Sequence, residues 1–407
     1  MAAATGLLGA NGEPAPTIFA EMTALATRTG AANLGQGFPD ADGPAWVREA
    51  AVEAIRSGQN QYPPGRGTPE LRRAIATHQA QRYGITLNPE TEVLVTAGAT
   101  EALAAAITAL AGPGDEVVTL EPFYDAHAAS IALAGATHVT VPFIPAGSGS
   151  GFAVDLAALE HAVGPRTRVI LVNSPHNPTG TVLTDSELAA IAAAAVRVDA
   201  VVITDEVYEH LTFGPAHAPI ASLPGMAERT LTISSAGKTF SLTGWKIGWV
   251  TGPAQLIDAV ATVKQFLTYS GGAPFQPAVA RALTEGADDI AELRAELAAR
   301  MELLLEGLRA AGLDPVQPGG TYFVCADASP LFAAVEALAG TKVADGAAFA
   351  RALPEAAGVA CVPVSAFCRE GSTTAVALQN WVRFTFVKDE SVLRTAVERL
   401  RTLADRA

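Results

Sequence analysis

From about residue 90 onward, short runs of β-branched and apolar residues alternate with longer Ala/Leu-rich runs of helical period. The short runs predict strands at Val93 to Ala97, Glu116 to Leu120, His138 to Val141, Val169 to Val172, Val201 to Thr204, Thr230 to Ser234 and Ile247 to Thr251. The longer runs predict helices at Thr100 to Ala111, Asp125 to Ala134, Asp155 to Val163, Asp185 to Val196 and Pro253 to Phe266, several of them opening on a capping residue or proline. Strand and helix taking turns in this way is α/β order. After Asp288 the texture changes to a long, charged helical stretch, Asp289 to Ala311, with strands near Thr321 to Cys325 and Val382 to Val387.

The pattern divides the chain into an amino-terminal arm, residues 1–45, a large domain, 46–288, and a smaller α+β domain, 289–407. The arm is rich in Gly and Pro and is expected to fold back onto the smaller domain. The tract Gly147-Ser148-Gly149-Ser150-Gly151 reads as a flexible loop tip, and no internal repeat is visible.

Composition narrows the function. At 407 residues and 49% apolar content the chain can bury a substantial core, and a formal charge of -14 argues against a nucleic-acid or anionic-membrane surface. The uncharged stretch between Asp125 and Asp155 is broken by His127, Ser130, Gly135, His138, Pro142 and Pro145, which does not suit a membrane helix. No basic residue precedes Arg28, so a signal peptide is not expected, and the three cysteines, Cys325, Cys361 and Cys368, form no CxxC pair. Both features point to the cytoplasm. No HExxH run or clustered Cys/His ligand set occurs among the seven histidines, so no metal is expected.

Five motifs carry the candidate chemistry. Lys238 is the first of only five lysines and lies in Ser234-Ser235-Ala236-Gly237-Lys238-Thr239-Phe240, followed by Gly244-Trp245-Lys246-Ile247-Gly248. A desolvated lysine, unlike an arginine, can lose its proton and react as a neutral amine, although a single lysine can also be a surface charge. Val95-Thr96-Ala97-Gly98-Ala99-Thr100-Glu101 runs from strand through glycine into helix, which makes either a phosphate cradle or a plain turn. No GxGxxG follows a strand, which disfavours a nicotinamide dehydrogenase. Asn173-Ser174-Pro175-His176-Asn177-Pro178 leaves the carboxyl end of a strand rigidly, so that Asn177 either donates to a ligand or only forms a turn. Thr204-Asp205-Glu206-Val207-Tyr208 ends a strand in two carboxylates and a phenol, where Asp205 can hold a protonated ring nitrogen or the pair can bind a metal. Arg383, within Trp381-Val382-Arg383-Phe384-Thr385-Phe386, offers two parallel donors to a carboxylate or makes a structural ion pair.

In this order and spacing the motifs resemble those of the class I aminotransferases of fold type I, which use pyridoxal 5'-phosphate. The resemblance runs from Asn33-Leu34-Gly35-Gln36-Gly37-Phe38-Pro39-Asp40 to Arg383, nearly the whole chain. Within the family the chain looks most like actinobacterial N-succinyldiaminopimelate aminotransferases and next like kynurenine/glutamine transaminases, from which Gln61-Tyr62-Pro63-Pro64-Gly65-Arg66-Gly67 departs in length.

The resemblance implies a large domain with a mostly parallel seven-stranded sheet flanked by helices, plus the smaller α+β domain. It implies Lys238 as the Schiff-base lysine, Asp205 as partner of the pyridine nitrogen, and Asn177 and Tyr208 as partners of the ring oxygen. Tyr124 would stack on the ring, Ala99, Thr100, Ser235 and Lys246 would hold the phosphate, Arg383 would clamp the substrate α-carboxylate, and Gly37 would line the substrate pocket. Tyr62 and Tyr269 would come from a neighbouring subunit, which implies a homodimer. Arg66 could meet a second substrate carboxylate or stay an ordinary loop arginine.

The expected reaction moves an amino group between an L-amino acid and a 2-oxo acid, with N-succinyl-LL-2,6-diaminopimelate and the glutamate/2-oxoglutarate pair favoured. The alternatives are a kynurenine, glutamine or methionine type of transaminase with cysteine-conjugate β-lyase activity, which needs the same α-proton removal, and a non-catalytic pyridoxal-phosphate-binding regulator.

Overall fold

The computed structural model describes residues 12–13, 15–147 and 151–406, so Ser148, Gly149 and Ser150 of the expected loop tip lie outside the described residues. In chain order its strands are β1 (Ala32–Asn33), β2 (Val93–Thr96), β3 (Glu116–Glu121), β4 (Thr137–Pro145), β5 (Phe152–Val154), β6 (Thr167–Asn173), β7 (Val201–Asp205), β8 (Thr230–Ser235), β9 (Gly248–Thr251), β10 (Phe323–Asp327), β11 (Val359–Ala360), β12 (Val362–Pro363) and β13 (Trp381–Thr385). The seven strands read from the apolar runs are β2, β3, β4, β6, β7, β8 and β9. All seven join one sheet, in the order β2-β9-β8-β7-β6-β3-β4, and β5 adds an eighth, short strand beside β4.

The sheet is mostly parallel: β4, β3, β6, β7 and β8 run together, while β9 is antiparallel to both β8 and β2. Successive residues of a strand point to opposite faces, and here both faces are buried. Val169, Leu171, Ile203, Leu231 and Ile233 pack against Leu103 and Ile107 of the helix Gly98–Leu110. Ile170, Val172 and Val202 pack on the other face with Leu188 and Ile191 of the helix Asp185–Val198, which opens on a Thr184/Glu187 capping box. Covering both faces leaves the carboxyl ends of β2, β3, β6, β7 and β8 along a single edge, the place where open α/β sheets bind ligands.

Register fixes what stands at that edge. Asn173 is level with Asp205, and Gly248 is level with both Thr96 and Ser235. Beyond the large sheet, β10, β13 and β12 form a three-stranded antiparallel sheet in which Cys325 pairs with Arg383. The helices Ala287–Ala310 and Glu390–Ala404 lie together over the same apolar cluster through Leu304, Leu308, Leu393 and Leu400. The helix Ile18–Thr29, capped by Thr17, joins that cluster, and β1 pairs in parallel with β11. Among the described residues no helix is long and apolar enough to cross a membrane; the uncharged stretch after Asp125 is a helix, Asp125–Ala134, followed by β4 and β5.

Candidate active site

The loops that leave the aligned strand ends converge on a cavity of about 400 Å³. Eleven of the thirteen residues singled out in the sequence line it: Gly37, Ala99, Thr100, Tyr124, Asn177, Asp205, Tyr208, Ser235, Lys238, Lys246 and Arg383. The other two, Tyr62 and Tyr269, stand outside it with their ring centroids 5.5 Å apart, and Tyr62 is 79% exposed. Arg66 is also outside and is paired with Asp258.

Below the cavity, Asp205 ends β7 almost fully buried. Its Oδ2 lies 3.2 Å from His127 Nε2 and its Oδ1 accepts from the Val207 backbone N–H. Asn173 on the neighbouring strand donates to the Asp205 carbonyl at 2.8 Å and accepts from the Asn177 backbone N–H at 2.8 Å, which ties the Asn/Pro loop to the sheet. Tyr208 is buried, and that burial pushes its phenol well above the usual range, so it stays protonated at neutral pH. Burial likewise raises Tyr124.

At one end of the cavity a cradle forms where β2 turns into the helix Gly98–Leu110. No side chain caps this helix, and Gly98 (φ 78°) takes a conformation that disfavours a side chain. A Cβ on Gly98 would sit 3.1 Å from Lys246 Nζ, so the lysine ammonium lies directly against the helix start. The first N–H groups of the helix, the Thr100 and Ser235 hydroxyls and that ammonium suit a phosphate.

At the other end Arg383 is 1% exposed. Its Nη1 donates to Asn177 Oδ1 at 2.8 Å and its Nη2 to the Gly35 carbonyl at 3.0 Å, while Nε has no partner among the described residues. The guanidinium lies 3.9 Å from the Phe323 ring centroid and 4.7 Å from that of Phe367. Burial lowers it to about 10, which leaves it cationic at neutral pH. Among the described residues no carboxylate bonds to Arg383, so the structural ion-pair reading gives way to a buried cation with donor capacity in reserve. Between the two ends, Lys238 Nζ donates to Tyr322 Oη at 2.8 Å.

The donor set therefore fits a phosphorylated pyridine aldehyde: an anion cradle, a buried carboxylate, a phenol, an aromatic ring and an amine share one cavity. Three side chains here were not singled out in the sequence. His127 reads there only as an interruption of an apolar stretch, and Tyr322 and Phe323 only as part of a predicted strand. Behind the same strand ends, His78 Nε2 lies 2.8 Å from His210 Nε2 with Glu209 beside them, a buried group drawn from two separate segments. His210 Nδ1 is 3.1 Å from Thr239 Oγ1, next to Lys238.

Comparison with known proteins agrees with this geometry. The family model for aminotransferase class I and II matches residues 29–400. A probable N-succinyldiaminopimelate aminotransferase of Mycobacterium tuberculosis is 54% identical over 397 residues, covering 96% of this chain and 97% of that protein. The methionine aminotransferase of Escherichia coli is 38% identical over 388 residues, with 95% and 96% covered. The solved structure of the N-succinyldiaminopimelate aminotransferase from Mycobacterium tuberculosis superposes with a TM-score of 0.90, covering 96% of this chain and 97% of that one. Near-complete coverage at this identity, on a fold whose strand ends build this cavity, leaves one conclusion: the chain belongs to the class I and II aminotransferases and is a pyridoxal-phosphate-dependent transaminase acting on small amino and oxo acids.

Proposed function

We propose that the chain transfers the amino group of N-succinyl-LL-2,6-diaminopimelate to 2-oxoglutarate, or runs the same exchange in reverse. The observation that carries the reaction is the meeting of the Lys238 amine, the Asp205 carboxylate and the Arg383 guanidinium in one cavity. The substrate is supported by 54% identity to the Mycobacterium tuberculosis protein named for it, against 38% to methionine and kynurenine transaminases.

In this reading Ala99, Thr100, Ser235 and Lys246 would hold the phosphate, Tyr124 the ring face, and Asn177 and Tyr208 the ring oxygen. Asp205, oriented by His127, would keep a proton on the ring nitrogen. When bound, pyridoxal phosphate supplies a carbonyl that links to the substrate amine and a ring that takes up electron density from the α-carbon. Arg383 and Gly37 would hold the substrate α-carboxylate. Lys238, as free amine, would take the α-proton and carry it until it is returned. Of the other lining residues, Phe19, Phe38 and Phe323 would keep water away from the α-carbon.

A homodimer belongs to the same proposal. Phe266 is 85% exposed, Tyr62 79%, Leu267 50% and Tyr269 43%, an apolar patch that a second copy would cover while placing Tyr62 and Tyr269 at its partner's cavity. The division into residues 1–45, 46–288 and 289–407 is supported by the sheet of β2–β9, by the separate sheet of β10, β12 and β13, and by the pairing of β1 with β11. The three free cysteines support a reducing compartment such as the cytoplasm.

The test is a half-reaction. The pyridoxal form is mixed separately with glutamate, N-succinyl-LL-diaminopimelate, kynurenine, glutamine and methionine, and the visible cofactor band is followed. Bleaching by N-succinyl-LL-diaminopimelate faster than by kynurenine or methionine is the expected result. The opposite ranking would remove the substrate while keeping the transaminase, and release of pyruvate and ammonia from a β-substituted alanine as the main reaction would replace it with a lyase.

A further inference from the structure

Tyr208 is the phenol that the family motif supplies, and a second phenol, Tyr322, stands beside it, its ring centroid 5.5 Å from Lys238 Nζ against 5.6 Å for that of Tyr208. Tyr322 is 1% exposed and its ring meets Tyr208 edge-on at 5.2 Å. Tyr322 Oη donates to the Gly37 carbonyl at 2.6 Å, and Lys238 Nζ donates to Tyr322 Oη at 2.8 Å and to the Gly37 carbonyl at 3.4 Å. The preceding residue, Thr321, is β-branched yet has φ 66°. That conformation is unfavourable for such a residue and is held here by its N–H on the Leu211 carbonyl and by the Phe323 N–H on its hydroxyl. The strained turn is what delivers Tyr322 to the amine.

The donor and acceptor roles follow from counting. A phenol has one hydrogen, and the short contact to Gly37 takes it, so the phenol oxygen faces Lys238 as an acceptor. A neutral primary amine has two N–H bonds and one lone pair. With both N–H bonds drawn to Tyr322 and Gly37 on one side, the lone pair points away from them, into the cavity lined by Asn177, Asp205 and Arg383.

We propose that Tyr322 is a positioning residue for the reaction: together with the Gly37 carbonyl it holds the free Lys238 amine so that its lone pair faces the substrate α-carbon. This rests on the assignment of Lys238 as the reacting amine. It also gives the amino-terminal segment a stake in the chemistry, because the Gly37 carbonyl fixes both the phenol and the amine.

The experiment uses the full-length enzyme loaded with pyridoxamine phosphate, in which Lys238 is free, and compares wild type with Tyr322→Phe. Lys238 is acetylated with acetic anhydride across the titration range of a lysine, and its peptide is quantified by mass spectrometry. Removing one acceptor from a part-buried ammonium disfavours the charged form, so the labelling midpoint is expected to fall. The same variant should lose about tenfold in the rate of the amino-acid half-reaction with the substrate concentration for half-maximal rate unchanged. An unchanged midpoint, whatever the rate, or a midpoint that rises, overturns the proposal.

Borohydride reduction of the pyridoxal form separates this from failure of the underlying reading. Cofactor fixed to a peptide other than that of Lys238 in the wild type sinks the lysine assignment, whereas attachment at Lys238 in both proteins with identical midpoints sinks Tyr322 alone. If Tyr322→Phe does not fold, 3-fluorotyrosine at position 322 keeps the shape and weakens the acceptor. It must then move the midpoint in the same direction by a smaller amount, and no movement overturns the role.

Discussion

Replacing Gly248 with alanine tests whether the cradle proposed for the phosphate is set by backbone contact across the sheet. Gly248 begins β9, level with Thr96 and Ser235, and a Cβ there would lie 2.6 Å from the Gly98 carbonyl carbon, 2.8 Å from the Ala99 nitrogen and 2.9 Å from the Gly98 Cα. All three atoms are backbone, so no side chain can swing aside. Restoring an ordinary carbon contact of about 3.5 Å requires the turn to retreat by about 0.9 Å, and the Ala99 N–H moves with it. Overpacking of this kind costs about 1–3 kcal/mol. If the turn moves and must be drawn back to meet the phosphate, that cost appears in cofactor affinity as a loss of about 5- to 150-fold. Apoenzyme is titrated with pyridoxamine phosphate, which cannot link to Lys238, and with pyridoxal phosphate, and thermal melts are recorded alongside. Both affinities should fall by a similar factor. Wild-type affinity for both cofactors with an unchanged melt would refute the reasoning, because the steric conflict would then have been absorbed without moving the cradle. Gly98→Ala is a contrasting case: it meets the mobile end of Lys246 but must adopt φ 78°, at a cost of about 1–2 kcal/mol.

Asp205→Asn should lower turnover by about a hundredfold or more while cofactor affinity changes far less, measured by steady-state rates and equilibrium binding; comparable turnover would remove Asp205 from its role. Burial holds His138, His176 and His210 each near about 3, neutral at physiological pH. An unfolded histidine titrates near about 6.5, so the unfolded state binds more protons as pH falls below that value, and each residue removes about 1.4 kcal/mol of stability per pH unit. Their contribution is complete above that pH and is lost on the way down toward 3, so urea midpoints should drop steeply from pH 7.5 to pH 5; a flat or rising midpoint contradicts it. Phe266→Asp places a charge in the exposed apolar patch and should turn a dimer into a monomer by sedimentation, and a variant still dimeric at the same concentration removes this face from the interface.

The central strands were legible because their apolar runs end in loops with strong turn chemistry. Val169 to Val172 before Asn173-Ser174-Pro175, and Val201 to Thr204 before Asp205-Glu206, announce both the strand and its functional end. The helix Pro69–Tyr83 was not legible. It buries Arg72, His78 and Gln79, so polar residues stand where the period requires apolar ones. The two-residue pairing of β1 with β11 is too short to leave a pattern, and β5 has only three residues. Within the site, contacts made between distant segments were hidden. His127 reaches Asp205 across 78 positions, Tyr322 reaches Lys238 across 84 and Gly37 across 285, and nothing in the local sequence of either residue encodes its partner. Motif residues are visible because they sit on the loop that presents them. Residues that hold motif residues are visible only once the sheet has folded.

Arg383 shows why the two kinds of residue belong together. It comes from the smaller sheet, its Nη1 is held by Asn177 of the large sheet's loop, and its Nη2 by the Gly35 carbonyl of the amino-terminal segment. Three separate parts of the chain therefore meet at one guanidinium. A guanidinium has five N–H donors, and here Nε has no acceptor among the described residues although it is buried. An unmet donor in such a place costs about 1–3 kcal/mol unless a ligand answers it. A carboxylate would answer it with a charge-assisted bond and would neutralise a cation that the Phe323 and Phe367 rings otherwise shelter from water. The contacts that fix Arg383 also leave it incomplete, and the same carboxylate that completes it would be held beside Asn177 and Gly37, within the cavity that Lys238 faces. The guanidinium and the amine are thus joined through Gly35 and Gly37, two backbone carbonyls in one short segment, one holding Arg383 and the other Lys238.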